Sequence, residues 1–209
     1  NAEAVLREKS FLILGMKDSG HLVLNADNQQ VLSLKDLRRS GRFTSYTAEG
    51  NDAHLSVSNL GVAYGEREGL RVPEGITFKI NHGTRSIPIR IRGTIGQHRA
   101  YPVLAAIAVS VSEGTNLVSA AQWIEEEYVP PAGRLRILKG IGESIVLDDT
   151  YNASPSAVQA GLAALENVKG KRKIAVLGDM MELGRHSVEE HRKIGETVAE
   201  AADIFFAVG

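Results

Sequence analysis

Carboxylates that directly follow apolar strands are the residues of this chain best placed to do chemistry. Two such segments occur. Asp148-Asp149-Thr150-Tyr151-Asn152 follows the apolar Ile145 to Leu147, and Gly178-Asp179-Met180-Met181-Glu182 follows Ile174 to Leu177. In a parallel α/β sheet the loops beyond the strand ends converge on the ligand crevice. A carboxylate there can accept ribose hydroxyls or help to hold Mg2+. The plainer reading is that Asp149 and Asn152 make a turn, and that Ser154 caps the next helix through its hydroxyl. Local pattern alone favours the plainer reading.

Other candidates carry less. Gly96-Gln97-His98 precedes an Ala-rich helix and either lines a pocket or turns the chain. His186 and His191 are five apart, which misses the i, i+4 spacing of two ligands on one helix face, so surface or capping roles outweigh zinc. Lys9 alone reads as an ordinary solvated lysine. Neither G-x-x-x-x-G-K-[ST] nor G-x-G-x-x-G is present. A nucleotide enzyme without such a cradle is a fragment or something else.

The elements that must position these residues change character along the chain. Ala2 to Leu14 predicts a helix, and His21 to Leu24 a strand ending in the polar tetrad Asn25-Ala26-Asp27-Asn28. Arg42 to Tyr46, His54 to Leu60, Gly75 to Ile80 and Arg85 to Ile91 are short and turn-bounded, which predicts antiparallel strands of a β-rich flap. Asn81-His82-Gly83 suits a hairpin turn. Ala100 to Val111 and Leu117 to Tyr128 predict helices. Val129-Pro130-Pro131-Ala132-Gly133 is the clearest boundary, because two prolines cannot continue a helix. From Ile145 onward the pattern runs strand, helix, strand, helix, strand, which predicts a parallel sheet with helices on its faces.

The 209 residues are 43% hydrophobic and 23% charged, with a formal net charge of −1. That is an ordinary globular composition, without the basic stripe of a nucleic-acid binder. With no cysteine, disulfides, thiolate metal sites and cysteine nucleophiles are excluded, and a cytoplasmic setting fits better than a small secreted one. No apolar run of membrane-spanning length occurs.

Three segments together point further. Asp148-Asp149-Thr150-Tyr151-Asn152-Ala153-Ser154-Pro155 resembles the D-D-x-Y-N-A-N-P signature of the D-alanyl-D-alanine-adding branch of the Mur ligase family. Ala175 to Gly184 resembles that branch's A-V-L-G-D-M-x-E-L-G, and His191-Arg192-Lys193-Ile194-Gly195 follows at the usual distance. Weaker similarity runs back to the helix of Lys9. The resemblance implies an α/β protein. Residues 1–134 become the later part of a central ATP-binding domain with a β-rich flap and no phosphate loop. Residues 135–209 become the start of a Rossmann-like C-terminal domain with a parallel sheet.

The same resemblance implies an ATP-dependent ligase that joins D-alanyl-D-alanine to UDP-N-acetylmuramoyl tripeptide through an acyl phosphate, with Mg2+. Lys9, sixteen residues before Asn25, matches a lysine that is carbamoylated to help hold a metal. His98 resembles a histidine near the adenine, and Arg134 an arginine at the domain junction that meets the nucleotide phosphates. Asp149 resembles the aspartate that holds the ribose hydroxyls, with Tyr151 and Asn152 shaping the same hinge pocket. The chain departs from the family in three places. His98-Arg99-Ala100-Tyr101-Pro102 stands for the common His-Asn-x-x-Asn, Ser154 replaces an Asn, and Ser10-Phe11 after Lys9 is atypical. A related Mur or folylpolyglutamate-type ligase, or a non-catalytic module of the same fold, are the alternative readings. Lacking both glycine-rich phosphate motifs, the 209-residue chain by itself is expected not to turn over ATP; steady phosphate release by the purified chain would overturn this.

Overall fold

The computed structural model describes residues 2–38 and 41–209. The chain is mixed α/β. Its elements run α1 (Ala2–Leu14), β1 (His21–Asn25), α2 (Gln29–Leu32), β2 (Arg42–Thr47), β3 (Leu55–Arg67), β4 (Leu70–His82) and β5 (Arg85–Arg92). They continue α3 (Ala100–Ser112), α4 (Leu117–Glu127), β6 (Arg136–Lys139), β7 (Ile145–Asp148), α5 (Pro155–Asn167), β8 (Ile174–Leu177), α6 (Ser187–Ala201) and β9 (Ile204–Ala207). The backbone falls into two compact units. The first holds Asn1–Leu60, Phe78–Ile89 and Arg99–Glu127; the second holds Gly61–Thr77, Arg90–His98 and Tyr128–Gly209. Hydrogen bonds order the first five strands β1-β2-β3-β4-β5.

In the first unit, β1 alternates in burial and turns Leu22 and Leu24 inward against Ile13 and Leu34. α3 has buried residues at Ala100, Val103, Leu104, Ile107 and Ala108, the i, i+3, i+4, i+7 stripe of a core helix. β1 and β2 are parallel, from His21 opposite Arg42 to Asn25 opposite Tyr46. β2 and β3 are also parallel, where Tyr46 meets Leu55 and Thr47 meets Ser56. The antiparallel reading of Arg42 to Tyr46 is thereby corrected. Parallel neighbours normally need a long crossover. Here only the end of β2 meets the start of β3, so a short loop suffices.

The turns of the flap also differ from the sequence reading. Glu68-Gly69, both at positive φ (52° and 76°), joins β3 to β4, so both strands extend well beyond their predicted ends. Paired positive φ values are what a two-residue hairpin turn demands. Gly83-Thr84 joins β4 to β5, and Asn81 lies inside β4, its side-chain amide donating to Ser58 Oγ at 3.1 Å.

The tetrad after β1 is internally committed. Asn25 Oδ1 accepts from the Asp27 amide at 2.9 Å, and Asn28 Oδ1 caps α2 from the Val31 amide at 3.0 Å. The Asp27 carboxylate receives the Thr47 hydroxyl, the Ala48 and Glu49 amides (2.8 and 3.2 Å), the Asn51 side-chain amide (2.8 Å) and the Tyr101 hydroxyl (2.9 Å). One side chain thus binds β1 to the β2–β3 loop and to α3.

In the second unit, β6 and β7 pair antiparallel, Arg136 opposite Asp148 through Lys139 opposite Ile145. β8 and β9 pair parallel, Ile174 opposite Ile204. The expected three-strand parallel run is thus realised only for β8 and β9. β7 pairs with a strand the sequence reading did not propose. A tight turn, in which the Gly140 amide donates to Ser144 O at 2.9 Å, makes the two antiparallel neighbours. Ser154 caps α5 by accepting from the Ala157 amide at 3.3 Å, with Pro155 in the first turn where its missing N–H is harmless. Val158 and Leu162 of α5 pack with Ala175, Met180, Ile194 and Val198. On the β8–β9 ladder, Val176, Phe205, Phe206 and Val208 remain exposed.

Burial tends to raise the Asp27 pKa, but hydrogen bonds from Thr47, Ala48, Asn51 and Tyr101 prevail and hold it below the ordinary carboxylate value. A depressed folded-state pKa contributes stability above the unfolded value, about pH 4, that is lost as pH falls through the folded value. Tyr101→Phe removes one donor to the charged form and is expected to cost about 1.5 kcal/mol at neutral pH. The loss should shrink in acid. A urea midpoint lowered equally at both pH values would reject the assignment.

Candidate functional site

Gly133, Arg134 and Leu135 link Pro131 and Ala132 to β6, and carboxylates hold this short stretch from both sides. The Gly133 amide donates to Asp148 Oδ2 at 3.1 Å, and the Leu135 amide to Asp149 Oδ1 at 3.0 Å. The Tyr151 amide returns a bond to Gly133 O at 3.2 Å. On the far side, the Ile95 amide and the Thr94 hydroxyl both donate to Leu135 O at 3.1 Å. Leu135 and Thr94 are buried, so these partners replace water.

The clamp imposes an unusual backbone. Gly133 has φ +68° and Leu135 φ +48°. Left-handed geometry is natural for Gly133, where a Cβ would stand 2.7 Å from the Tyr151 nitrogen. For Leu135 it costs on the order of 1 kcal/mol, and it persists because both its amide and its carbonyl are engaged. Its side chain packs with Ile95 and Ala164, next to Val62, Ile137 and Leu147.

Four of the expected site residues gather on this stretch. Asp149 supplies the Leu135 bond, and its second oxygen, Oδ2, lies beside Gly161 of α5, which has no side chain to cover it. Arg134 lays its guanidinium over the Tyr151 ring, 4.2 Å from the centroid. His98 closes on Gly96, whose φ is +105°; a Cβ there would meet His98 Cε1 at 2.8 Å and Leu135 Cδ1 at 3.0 Å. Asn152 stands apart from these contacts. It is exposed, and its Oδ1 accepts from the Ala153 amide at 2.9 Å within its own turn. Lys9 is exposed on α1, in the first unit. Among the described residues no group of three His, Cys, Asp or Glu side chains could hold a metal.

Sequence reasoning named Asp148 among the strand-end carboxylates without giving it a role, and passed over Thr94. Asp148 sits below the ordinary carboxylate pKa, chiefly through the Thr150 hydroxyl bond, which outweighs burial, with the Thr150 and Gly133 amides and the Arg136 charge adding to it. Its signal was the doubled aspartate, where one carboxylate serves each side of Arg134. In the second motif, His191 Nε2 accepts from the Met180 amide at 3.1 Å, and Nδ1 lies 2.8 Å from Ser187 O. Both ring nitrogens are thus used to tie the loop after β8 to α6, which disposes of the zinc reading for His191.

The arrangement offers a permanently charged fork for phosphate oxygens at Arg134 and an anionic hydroxyl acceptor at Asp149. Asp149→Ala leaves the buried Leu135 amide without a partner and is expected to cost about 1–3 kcal/mol. Asp149→Asn keeps an oxygen acceptor and should lose clearly less. Equal urea midpoints for the two variants would show that this bond does not hold the stretch.

The model of the Mur ligase, glutamate ligase domain matches residues 133–209. The UDP-N-acetylmuramoyl-tripeptide–D-alanyl-D-alanine ligase of Escherichia coli K12 is 28% identical over 200 residues, covering 96% of this chain and 41% of the relative. The chain therefore spans about two fifths of that relative's length. A crystal structure of MurF from Acinetobacter baumannii aligns with TM-score 0.82 at 22% identity, over 100% of this chain and 43% of that one. MurF from Thermotoga maritima, solved in complex with ADP, aligns with TM-score 0.76 at 21% identity, over 99% of this chain and 44% of that one. These structures share the fold. Among the described residues no helix is long and apolar enough to cross a membrane.

Proposed function

We propose that the chain, whose residues 133–209 match the Mur ligase, glutamate ligase domain, is part of a Mur ligase and works in ATP-dependent peptidoglycan precursor synthesis in the cytoplasm. The substrates are UDP-N-acetylmuramoyl tripeptide and D-alanyl-D-alanine. Residues 1–134 are the later part of the ATP-binding domain, and residues 135–209 open the C-terminal domain. The observation that carries the reading is the clamp, in which the D-D-x-Y segment holds Arg134 by its backbone and its side chain alike.

The γ-phosphoryl group of ATP passes to the terminal carboxylate of the tripeptide, its bond to the β–γ bridging oxygen breaks, and ADP leaves behind an acyl phosphate. The amine of D-alanyl-D-alanine then attacks the acyl carbon, the C–O bond to phosphate breaks, and phosphate leaves as the amine loses a proton. Charge accumulates where anions meet, so fixed cations near the phosphates lower the barrier. Arg134 offers its in-plane N–H donors to the phosphates. Asp149 Oδ2 accepts a ribose hydroxyl, His98 lies near the adenine, and Tyr151 and Asn152 shape the pocket wall. Mg2+ shields the phosphate charge when bound. Carbamoylated Lys9 would be the residue of this chain that helps to hold it. Lys9, exposed on α1, is open to carbamoylation, which converts its amine into an oxygen donor.

The test is phosphate release by the protein purified from its native reading frame, with Mg2+, ATP and both substrates. Release that requires the tripeptide and D-alanyl-D-alanine together is expected. A folded protein that releases none, or that accepts a different amine, rejects the reading in favour of another amide ligase or a binding module.

A further inference from the structure

Tyr151 is 71% exposed, an unusual place to leave an aromatic ring, and one face of it is covered by the Arg134 guanidinium. We propose that Tyr151, within the pocket wall, is a positioning residue that acts through Arg134, its ring holding the guanidinium ready for a polyphosphate and its hydroxyl making no bond to the nucleotide. The inference rests on the ligase reading for the identity of the anion, and on geometry for the rest.

The main chain on either side of Arg134 is fixed. Gly133 is bonded to Asp148 and Tyr151, and Leu135 to Asp149, Ile95 and Thr94. The long side chain between these anchors is left to find its own direction. Among the described residues Arg134 makes no ion pair. The ring is what gives the side chain a preferred place. A cation over an aromatic face is attracted by the ring quadrupole. That contact uses the face of the guanidinium and leaves its N–H edge free for phosphate oxygens. The two interactions therefore do not compete. Close approach of the two backbones is needed to bring the ring beneath the arginine, and only glycine at position 133 permits it, since a Cβ would lie 3.0 Å from Tyr151 Cβ.

The test uses the native-frame protein and ATP, with adenosine as a phosphate-free control. Tyr151→Phe keeps the ring and should bind ATP as the wild type does. Tyr151→Leu should weaken ATP about two- to fivefold, the range of an exposed cation–π contact, and leave adenosine unchanged. In an Arg134→Met background, Tyr151→Leu should have no further effect. Additive losses, an equal loss on adenosine, or a Tyr151→Phe variant as weak as Tyr151→Leu each overturn the proposal. Independently of any ligand, the Arg134 side-chain protons should show an upfield ring-current shift in NMR spectra that Tyr151→Phe retains. Its absence from the wild type overturns the proposal even if the leucine variant fails to fold. A protein that binds ATP but fails the two-substrate assay loses the ligase reading, while its affinities still decide the role of Tyr151. A wild type that does not bind ATP at all overturns both.

Discussion

A left-handed backbone at a buried leucine is the constraint around which the second unit is organised. Leu135 reaches φ +48° against its own steric preference. It stays there because its amide meets Asp149, its carbonyl meets Ile95 and Thr94, and its side chain fills a small core with Ile95 and Ala164. Asp148 performs the matching task at Gly133. Two consecutive carboxylates thus grip alternate peptide units, and the residue between them is an arginine. The direction in which that arginine leaves the backbone follows from the grip.

The first unit contains a comparable device built from one side chain. Asp27 collects donors from β2, from the loop after it, from Asn51 and from Tyr101 on α3. A carboxylate so fully supplied is held in its charged form and has little left for a ligand. This separates the two strand-end carboxylates that look alike in sequence. Asp27 is consumed internally, while Asp149 gives one oxygen to the backbone and keeps the other 3.5 Å from where a Cβ on Gly161 would stand.

The helices were legible because their signals are local. The five-residue stripe of α3, the Ser154-Pro155 start of α5 and the apolar spacing of α6 each lie within one stretch of chain. Strand direction was less legible. Arg42 to Tyr46 looks like any flap strand, and its parallel pairing depends on where β1 and β3 lie. β6 is a four-residue strand with two charged ends, recognisable as a strand chiefly by its partner. For the candidate site, family likeness pointed to Arg134, Asp149, Tyr151 and His98, and the structure brings these together around Gly96 and Leu135. It could not reveal the conformation of Leu135 or the part played by Thr94. Those are imposed by contacts with residues 14 and 41 positions away, and nothing in the local composition announces them.

The β8–β9 ladder bears on how the chain behaves as a material. Val176, Phe206 and Val208 stand on the water side of a short parallel pair, and Phe205 is partly bare as well. An open strand edge next to exposed aromatics is a template for further strands. The formal charge of −1 provides almost no mutual repulsion between molecules. That patch is distinct in sequence from Arg134, so a surface that covered it would leave the carboxylate grip untouched.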